Sequence, residues 1–313
     1  MTRAAPQGGG PGLDVVRALA AGLAVAAVLA ACSSGPPTGP QVGSPPSAKD
    51  QVATRQVTVK GQVRTYRLFV PASVDRAASL IVVLHDAGGT AQTIAQATQF
   101  ERKAATGGFV VAYPESLSGT WNGGFCCGSA PSQGIDDVGF LERLLEELSA
   151  DPRIDPARIY VAGVSNGAVM AYRFACERAE RIAGVASVAG ALTLEACRPA
   201  EAVSVLEIHG TADPVVPYHG GELLPFTHAT RPVPSTQQQV ERWAALNSCT
   251  GEPASRREGP VTSITWGGCR DGVVVRLVSI EGGGHTWYAS EFGPIDGAVD
   301  ATSTIAEFFD LAS

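Results

Sequence analysis

Ser165 is the residue of this chain best placed to act as a nucleophile. It lies at the centre of Gly163-Val164-Ser165-Asn166-Gly167, between an apolar run and an alanine-rich segment. In a sharp turn from a strand to a helix, the serine hydroxyl rises above the sheet, and the two glycines leave room for the crowded backbone. A glycine–serine turn without a catalytic role is the alternative interpretation. Because a serine hydroxyl is a poor nucleophile at neutral pH, Ser165 needs a base nearby.

His285 is the predicted base. It follows a predicted strand over residues 273–280 and three consecutive glycines, so a flexible loop can present its imidazole at the end of the strand. In mostly parallel sheets that carry such a serine turn, the order of the three residues along the chain is serine, acid, histidine. The remaining histidines fail this order or have no strand immediately before them: His85, His209, His219 and His228.

Two aspartates lie between Ser165 and His285, and Asp213 is the predicted acid. It comes shortly after a predicted strand over residues 203–208, where its carboxylate would orient the imidazole and stabilise the imidazolium. Asp213 also precedes a proline, and Asp-Pro is a common start of a turn. Asp271 stands beside a glycine before a strand, where a turn aspartate needs no other role.

A carbonyl group attacked by Ser165 would develop an oxyanion, which backbone N–H groups would have to stabilise. One is predicted to come from Asn166, which directly follows the nucleophile at a helix N-terminus. The second is predicted to come from the loop after the strand at residues 80–85, where Asp86 and Ala87 remain as alternatives.

These residues require a sheet that brings the ends of distant strands together. Buried strands are predicted at residues 80–85, 109–113, 159–163, 185–188, 203–208 and 273–280, after two β-rich stretches near 52–59 and 64–71. Helices are predicted at 92–106, 136–150, 166–180, 235–247 and 301–312. This alternation predicts an α/β fold with a mostly parallel sheet and helices on both faces. Right-handed crossovers then place the carboxyl ends of the strands on one edge.

The start of the chain predicts export. Residues 18–31 are fourteen small apolar residues after Arg3 and Arg17. As a helix they would rise about 21 Å, less than a hydrocarbon core of ~30 Å, which is typical of a secretory signal. The run ends in Leu29-Ala30-Ala31-Cys32, which resembles the lipobox of bacterial lipoproteins and implies cleavage before Cys32 and its lipidation. An ordinary signal peptide with a chance cysteine is the alternative.

The remaining length, charge and cysteines narrow the class of protein. Of 313 residues, 1–31 are predicted to be the signal, 32–51 a Pro/Gly/Ser-rich tether and 52–313 one catalytic domain. The net charge of -7 disfavours nucleic acid as a partner.

Six cysteines besides Cys32 predict three disulfides. We expect Cys249 to pair with Cys269, and Cys126 and Cys127 to reach Cys176 and Cys197 in an open order. No motif for metal binding is recognised.

Several motifs of the chain together resemble the α/β-hydrolase esterases of the polyhydroxybutyrate depolymerase and feruloyl esterase type. The matching segments are Leu84-His85 with Gly88-Gly89, Tyr113-Pro114, Trp121-Asn122 with Cys126-Cys127-Gly128, Asp136-Asp137-Val138-Gly139-Phe140, Gly163-Val164-Ser165-Asn166-Gly167, His209-Gly210-Thr211-Ala212-Asp213 and Gly284-His285-Thr286-Trp287.

The resemblance implies secreted ester hydrolysis without a cofactor and supports Ser165, Asp213 and His285 as the catalytic set. It also places Trp121 and Trp287 near the acyl or alcohol pocket, with core packing as the alternative for each. Asp86 departs from the pattern, because many relatives have glycine there. We expect a monomer that acts on small or oligomeric esters. A serine peptidase on the same fold and a non-catalytic surface lipoprotein are the alternatives.

Overall fold

A computed structural model describes residues 47, 49–75, 77–224, 227–289 and 299–312. The predicted signal, Cys32 and all but the last few residues of the predicted tether lie outside these residues. No helix in the described part of the chain combines the length and apolarity needed to cross a bilayer.

Ten strands form one sheet, in the spatial order β1-β2-β4-β3-β5-β6-β7-β10-β9-β8. Their bounds are β1 Gln51–Val59, β2 Gln62–Val70, β3 Ala78–Leu84, β4 Val110–Pro114, β5 Ile154–Val164, β6 Gly184–Val188, β7 Ser204–Gly210, β8 Ala254–Glu258, β9 Val261–Trp266 and β10 Val275–Ile280.

The centre of the sheet is parallel, and both of its margins are antiparallel. From β4 through β3, β5, β6 and β7 to β10, every neighbouring pair is parallel. β1 and β2 add an antiparallel margin on one side, and β9 and β8 form another on the other side. Every residue of β3, β4 and β6 is buried, whereas every residue of β8 is exposed. This agrees with the rule that parallel strands are covered on both faces.

Helices cover both faces of the sheet. The bounds are α1 Ala91–Thr98, α2 Phe100–Gly107, α3 Asp137–Ser149, α4 Asn166–Glu177, α5 Thr236–Leu246 and α6 Ala301–Phe308. Side chains of α3, α4 and α5 pack with Leu80, Val82 and Leu84 of β3 on one face. Side chains of α1, α2 and α6 pack with Ile81 and Val83 of the same strand on the other face. This alternation along one strand confirms the predicted α/β architecture, with helices on both faces of the sheet.

The structure differs from the sequence prediction at two elements. The helix predicted at 92–106 is two helices, because Gln99 between α1 and α2 adopts a left-handed backbone with φ 53°. The hairpin of β8 and β9 was not predicted. Its strands lie at the exposed margin of the sheet, where there is no continuous apolar run to indicate a strand.

The three disulfides only partly follow the prediction. Cys249 pairs with Cys269 as predicted. Cys176 pairs with Cys197, and adjacent Cys126 and Cys127 pair with each other, so the prediction of bonds between these two sets was wrong. The reason is distance along α4. Cys126 and Cys127 pack with Val169 near the start of this helix. Cys176 lies seven residues farther on, which is about 10 Å of helix rise and too far for a disulfide.

Candidate active site

Ser165 stands on a strained turn between β5 and α4. Its backbone has φ 54° and ψ -121°, a conformation that non-glycine residues rarely adopt. A side-chain carbon at Gly167 would overlap the carbonyl oxygens of Leu84 and His85, and one at Gly163 would overlap the backbone of Gly167. The two glycines are therefore required by the close approach of β5, α4 and the end of β3.

The hydroxyl of Ser165 points away from the helix that it precedes. Ser165 occupies the N-cap position of α4, but its side chain makes no capping hydrogen bond to that helix. By contrast, Asp136 caps α3 by accepting a hydrogen bond from the Gly139 N–H at 2.9 Å. The Ser165 hydroxyl is thus available to a different partner.

That partner is His285, which in turn contacts Asp213. Nε2 of His285 is 2.8 Å from Oγ of Ser165, and Nδ1 is 2.8 Å from Oδ2 of Asp213. The three residues follow β5, β7 and β10, whose carboxyl ends meet at one edge of the parallel sheet. The structure therefore brings together residues that are 72 and 120 positions apart in the chain, in the order that the sequence predicted.

Backbone hydrogen bonds hold the acid loop against the histidine loop. The N–H of Thr211 donates to the carbonyl of Ile280 at 2.9 Å, and the N–H of Ala212 donates to Gly283 at 2.9 Å. A side chain at Gly210 would overlap the carbonyl oxygen of Gly283 and the Tyr288 hydroxyl, so the loops touch at a glycine. This contact fixes the spacing of Asp213 and His285.

Asp213 is buried and ionised. Its Oδ1 accepts hydrogen bonds from the N–H groups of Val215 and Val216 at 2.8 and 2.9 Å. Burial would raise the pKa of the Asp213 carboxyl, but hydrogen bonds from His209 and His285 outweigh it and hold this pKa well below its usual range. The carboxylate can therefore orient the His285 imidazole and stabilise it when it becomes positively charged.

Asn166 uses its side chain to hold a neighbouring loop. Its Oδ1 accepts from the Trp121 N–H at 2.6 Å, and its Nδ2 donates to the Trp121 carbonyl at 2.9 Å. As the first residue of α4, Asn166 has a backbone N–H with no acceptor within the helix. This N–H lies next to Ser165 in the chain, at the positive end of the helix dipole.

The loop with the other two oxyanion candidates is fixed by His85. Asp86 borders the same cavity as Ser165, whereas Ala87 is not among the lining residues of that cavity. His85 is buried, and its Nδ1 donates to the carbonyl of Asp86 at 2.7 Å while its Nε2 accepts from the Ser116 N–H at 3.1 Å. Burial lowers the pKa of His85, which agrees with this neutral form.

Trp121 is not among the residues that line this cavity, and it lies in the core, which was the alternative considered for it. It is fully buried and stacks on Phe140, with ring centres 6.4 Å apart. Its Nε1–H donates to the carbonyl of His85 at 2.9 Å. Trp121 therefore supports the backbone on both sides of the candidate oxyanion site, through His85 and through Asn166.

An open cavity of about 290 Å³ adjoins Ser165 and His285. This volume is at the small end of ligand pockets. Trp287 contributes to it and donates its Nε1–H to Thr302 at 3.1 Å. Among the residues that the structure describes, the others that line it are Asp86, Thr93, Ile94, Ala97, Val164 and Thr286. The side of the cavity formed by α1 is mainly apolar.

The other residues considered from the sequence take no place in this arrangement, with one exception. The Asp271 side chain is 70% exposed beside Arg270, in the turn before β10. Among the residues that the structure describes, no three His, Cys, Asp or Glu side chains are grouped so as to hold a metal ion. His209 is the exception: it was set aside as the base, but its Nε2 lies 3.3 Å from Oδ2 of Asp213, the oxygen that also contacts His285. The only hint in the sequence was that His209 belongs to the same short motif as Asp213, His209-Gly210-Thr211-Ala212-Asp213.

Comparisons with known proteins place the chain among esterases. The family model described as Esterase PHB depolymerase matches residues 64–220. A protein of Nocardia uniformis subsp. tsuyamanensis, named "Putative esterase NocK", is 29% identical over 96% of this chain and 98% of its own length. Feruloyl esterase B of Piromyces equi is 34% identical over 67% of this chain. The match spans only 40% of that relative's length.

The fold has counterparts among solved structures. An acetyl xylan esterase from Aspergillus awamori superimposes with a TM-score of 0.59, over 83% of this chain and 99% of the other, at 16% identity. At this identity the likeness shows the α/β-hydrolase fold. The family match, which spans half of the chain, and the esterase relatives show that the chain belongs to the Esterase PHB depolymerase family and is a carboxylic ester hydrolase.

Proposed function

We propose that the chain hydrolyses carboxylic esters through an acyl-enzyme on Ser165. The observation that supports this most directly is the continuous hydrogen-bonded chain from Ser165 Oγ through His285 to Asp213, with both distances 2.8 Å. His285 takes the hydroxyl proton while Ser165 attacks the ester carbonyl, and Asp213 stabilises the imidazolium. His285 then gives the proton to the leaving alkoxide. Water, activated by His285 in the same way, hydrolyses the acyl-enzyme and releases the acid.

The tetrahedral oxyanion is assigned to two backbone N–H groups. The N–H of Asn166 is one, since it starts α4 and directly follows Ser165. The second comes from Asp86 or Ala87, on the loop that Trp121 and His85 hold beside the nucleophile. The position of Asp86 at the cavity favours Asp86.

The substrate class follows from the cavity and the relatives. Ile94, Ala97 and Trp287 offer an apolar and aromatic surface beside Ser165, which suits an apolar or aromatic acyl group. The relative named feruloyl esterase B supports feruloyl esters. Acetyl esters and oligomers of 3-hydroxybutyrate are the other members of the proposed substrate class. A panel of these three ester types, compared by kcat/KM, ranks them.

The proposed location is the outer face of the cytoplasmic membrane, as a lipid-anchored monomer. Cys32 in its lipobox-like context supports the anchor, and the three disulfides suit an oxidising compartment outside the cytoplasm. Expression of the full chain with Cys32→Ala tests the anchor. The parent should partition into detergent and take up labelled palmitate, and the variant should do neither.

The nucleophile is tested by Ser165→Ala, with Ser132→Ala as a control because Ser132 is exposed and its hydroxyl donates to the Ser129 carbonyl, outside the cavity at Ser165. We expect the first variant to lose hydrolysis of p-nitrophenyl butyrate and labelling by a fluorophosphonate, and the control to retain both. Activity of Ser165→Ala at the parent rate would refute the proposal. Cleavage of amides in preference to esters would support the peptidase alternative. No turnover by the parent would support a non-catalytic lipoprotein.

A further inference from the structure

A second buried pair of acid and base, Glu207 and His209, lies directly behind Asp213. Both residues are on β7, and each has an exposed fraction of 1% or less. His209 Nδ1 is 2.8 Å from Glu207 Oε1, and its Nε2 is 2.9 Å from the Val216 carbonyl and 3.3 Å from Asp213 Oδ2. The second oxygen of Glu207 accepts the Tyr172 hydroxyl at 2.6 Å. A continuous polar chain therefore runs from α4 to Ser165.

The partners of His209 determine its protonation state. The carbonyl oxygen of Val216 can only accept a hydrogen bond, so Nε2 carries a proton. Nδ1 faces a carboxylate that already receives the Tyr172 hydroxyl, so it also donates. Burial on its own would lower the pKa of His209, but hydrogen bonds to Asp213 and Glu207 raise it to about 10. His209 is therefore a buried imidazolium between two carboxylates.

Burying these charged side chains costs more free energy than a purely structural role would require. Burying an ion pair has a desolvation cost that packed apolar residues of similar volume avoid, so such pairs are weak devices for stability. Here the imidazolium shares the very oxygen, Asp213 Oδ2, that contacts His285 at 2.8 Å. Its position fits an effect on the acid of the catalytic set.

We propose that Glu207 and His209 are positioning residues for the esterase reaction, which hold the Asp213 carboxylate towards His285 and partly neutralise its charge. This inference rests on the proposed function, because it assigns Asp213 and His285 their roles in ester hydrolysis. His209 fixes the rotation of the carboxylate together with the N–H groups of Val215 and Val216. Glu207 keeps His209 protonated, and Tyr172 orients Glu207.

The proposal predicts a particular change in pH dependence. Besides Glu207 and Asp213, the titratable side chains around His209 are two tyrosines that contact it or its partner and two residues of the loop after β10. They are Tyr172 of α4, Tyr218, whose ring centre is 5.9 Å from that of the imidazole, Tyr288 and His285. Burial raises the pKa of Tyr172 and of Tyr288, so both stay neutral at ordinary pH. Without the positive charge of His209, the Asp213 carboxylate would hold a proton on His285 more strongly. The acid limb of the pH profile of kcat/KM should then move to higher pH.

The double substitution Glu207→Gln with His209→Gln removes both charges and leaves side chains that still form hydrogen bonds. We expect kcat to fall at least about tenfold, KM to change less than about twofold, and the acid limb to rise by about half to one pH unit. The control is Tyr66→Phe, which removes a similar hydrogen bond, from the buried Tyr66 hydroxyl to Glu147 at 2.7 Å, outside the chain of side chains that leads to Ser165. It should lower the melting temperature while changing kcat less than about threefold. A loss of activity that only follows the loss of stability across these variants would overturn the proposal.

Repeating the double substitution in an Asp213→Asn background shows whether the pair acts through Asp213. We expect little further loss of activity there, since the carboxylate that the pair orients is absent. An equal loss in both backgrounds would contradict the proposal.

A measurement on the unmodified protein covers the case in which the variants fail to fold. In a ¹⁵N-correlated NMR spectrum of histidine side chains, His209, assigned by a His209→Gln spectrum or by its contact to Val216, should keep both ring protons from pH 5.5 to 8.5. Titration of His209 within this range would overturn the proposal. Failure of the proposed esterase function would appear separately, as unchanged activity of Ser165→Ala.

Discussion

Replacing Asn166 by alanine separates its role in the active site from its role in stability, because the chain contains a matched residue elsewhere. Asn166 holds the Trp121 backbone through one accepted and one donated hydrogen bond, at 2.6 and 2.9 Å. Asn247 holds the Val203 backbone in the same way, at 3.2 and 2.7 Å. Both asparagines are buried, with exposed fractions of 2% and 0%. Val203 directly precedes β7, at the edge of the sheet opposite the site.

The expected loss of stability follows from the groups left without partners. Either Asn→Ala substitution leaves one buried N–H and one buried carbonyl unpaired, at about 1–3 kcal/mol each. For each variant we therefore expect the free energy of unfolding to fall by roughly 2–6 kcal/mol. A loss of about 3 kcal/mol corresponds to a melting temperature lower by roughly 6–12 °C in a domain of this size. Thermal unfolding followed by circular dichroism measures this.

The two variants should differ in activity. Asn166→Ala keeps its own backbone N–H but releases the Trp121 loop, which supports the His85 carbonyl next to the second oxyanion candidate. Removing one oxyanion donor outright costs about 10²–10³ in kcat, so partial displacement should cost about 10–100-fold. Asn247→Ala should change kcat less than about threefold. The assay is hydrolysis of p-nitrophenyl butyrate, at least 15 °C below the lower melting temperature.

Two results would refute this reasoning. If Asn166→Ala kept the parent kcat despite its lower stability, the Trp121 clamp would have no part in positioning the oxyanion site. If both variants lost the same activity, the loss would come from general destabilisation and not from the site.

Two further predictions concern the cavity and the buried imidazolium. Ala97→Phe fills space beside Ile94 and Trp287, so kcat/KM should fall at least about tenfold for feruloyl esters and less than threefold for acetyl esters; equal effects on both would place the acyl group elsewhere. The pKa of His209 is raised to about 10 in the folded protein, whereas a histidine in the unfolded chain has a pKa of about 6.5. The protonated His209 therefore contributes fully to the free energy of unfolding below about pH 6.5. This contribution is lost as the pH rises to about 10, by up to about 1.4 kcal/mol per pH unit. Urea unfolding at pH 6, 8 and 10 should show this slope in the parent and lose it in the Glu207→Gln, His209→Gln variant; the same slope in both would refute the charge assigned to His209.

Most strands and helices could be predicted from the sequence because they depend on the local pattern of apolar residues. Continuous apolar runs marked the buried strands β3, β4 and β6, and helical spacing marked α3. The break between α1 and α2 was missed, because a left-handed backbone at Gln99 leaves no clear mark in composition. The hairpin of β8 and β9 was missed because exposed margin strands need no apolar alternation.

The sequence by itself determined which residues are candidates for chemistry. Ser165, Asp213 and His285 each come within a few residues of the end of a strand. Because parallel strands end at one edge of a sheet, the sequence predicted that the three residues meet there. The two glycines that flank Ser165 predicted its sharp turn separately, because only a crowded backbone requires them there. These signals are local or depend only on the order of elements, so they can be followed along a single chain.

The tertiary structure decided what depends on distance through space. It placed Trp121 in the core, joined Cys126 to Cys127, and set His209 and Glu207 behind Asp213. Each outcome depends on which side chains approach within hydrogen-bonding or bonding distance once β7, α4 and the loops are packed. Burial then determines which of these groups carry charge. Neither distance nor burial is fixed by residue type and spacing alone, because both arise from contacts between segments far apart in the chain.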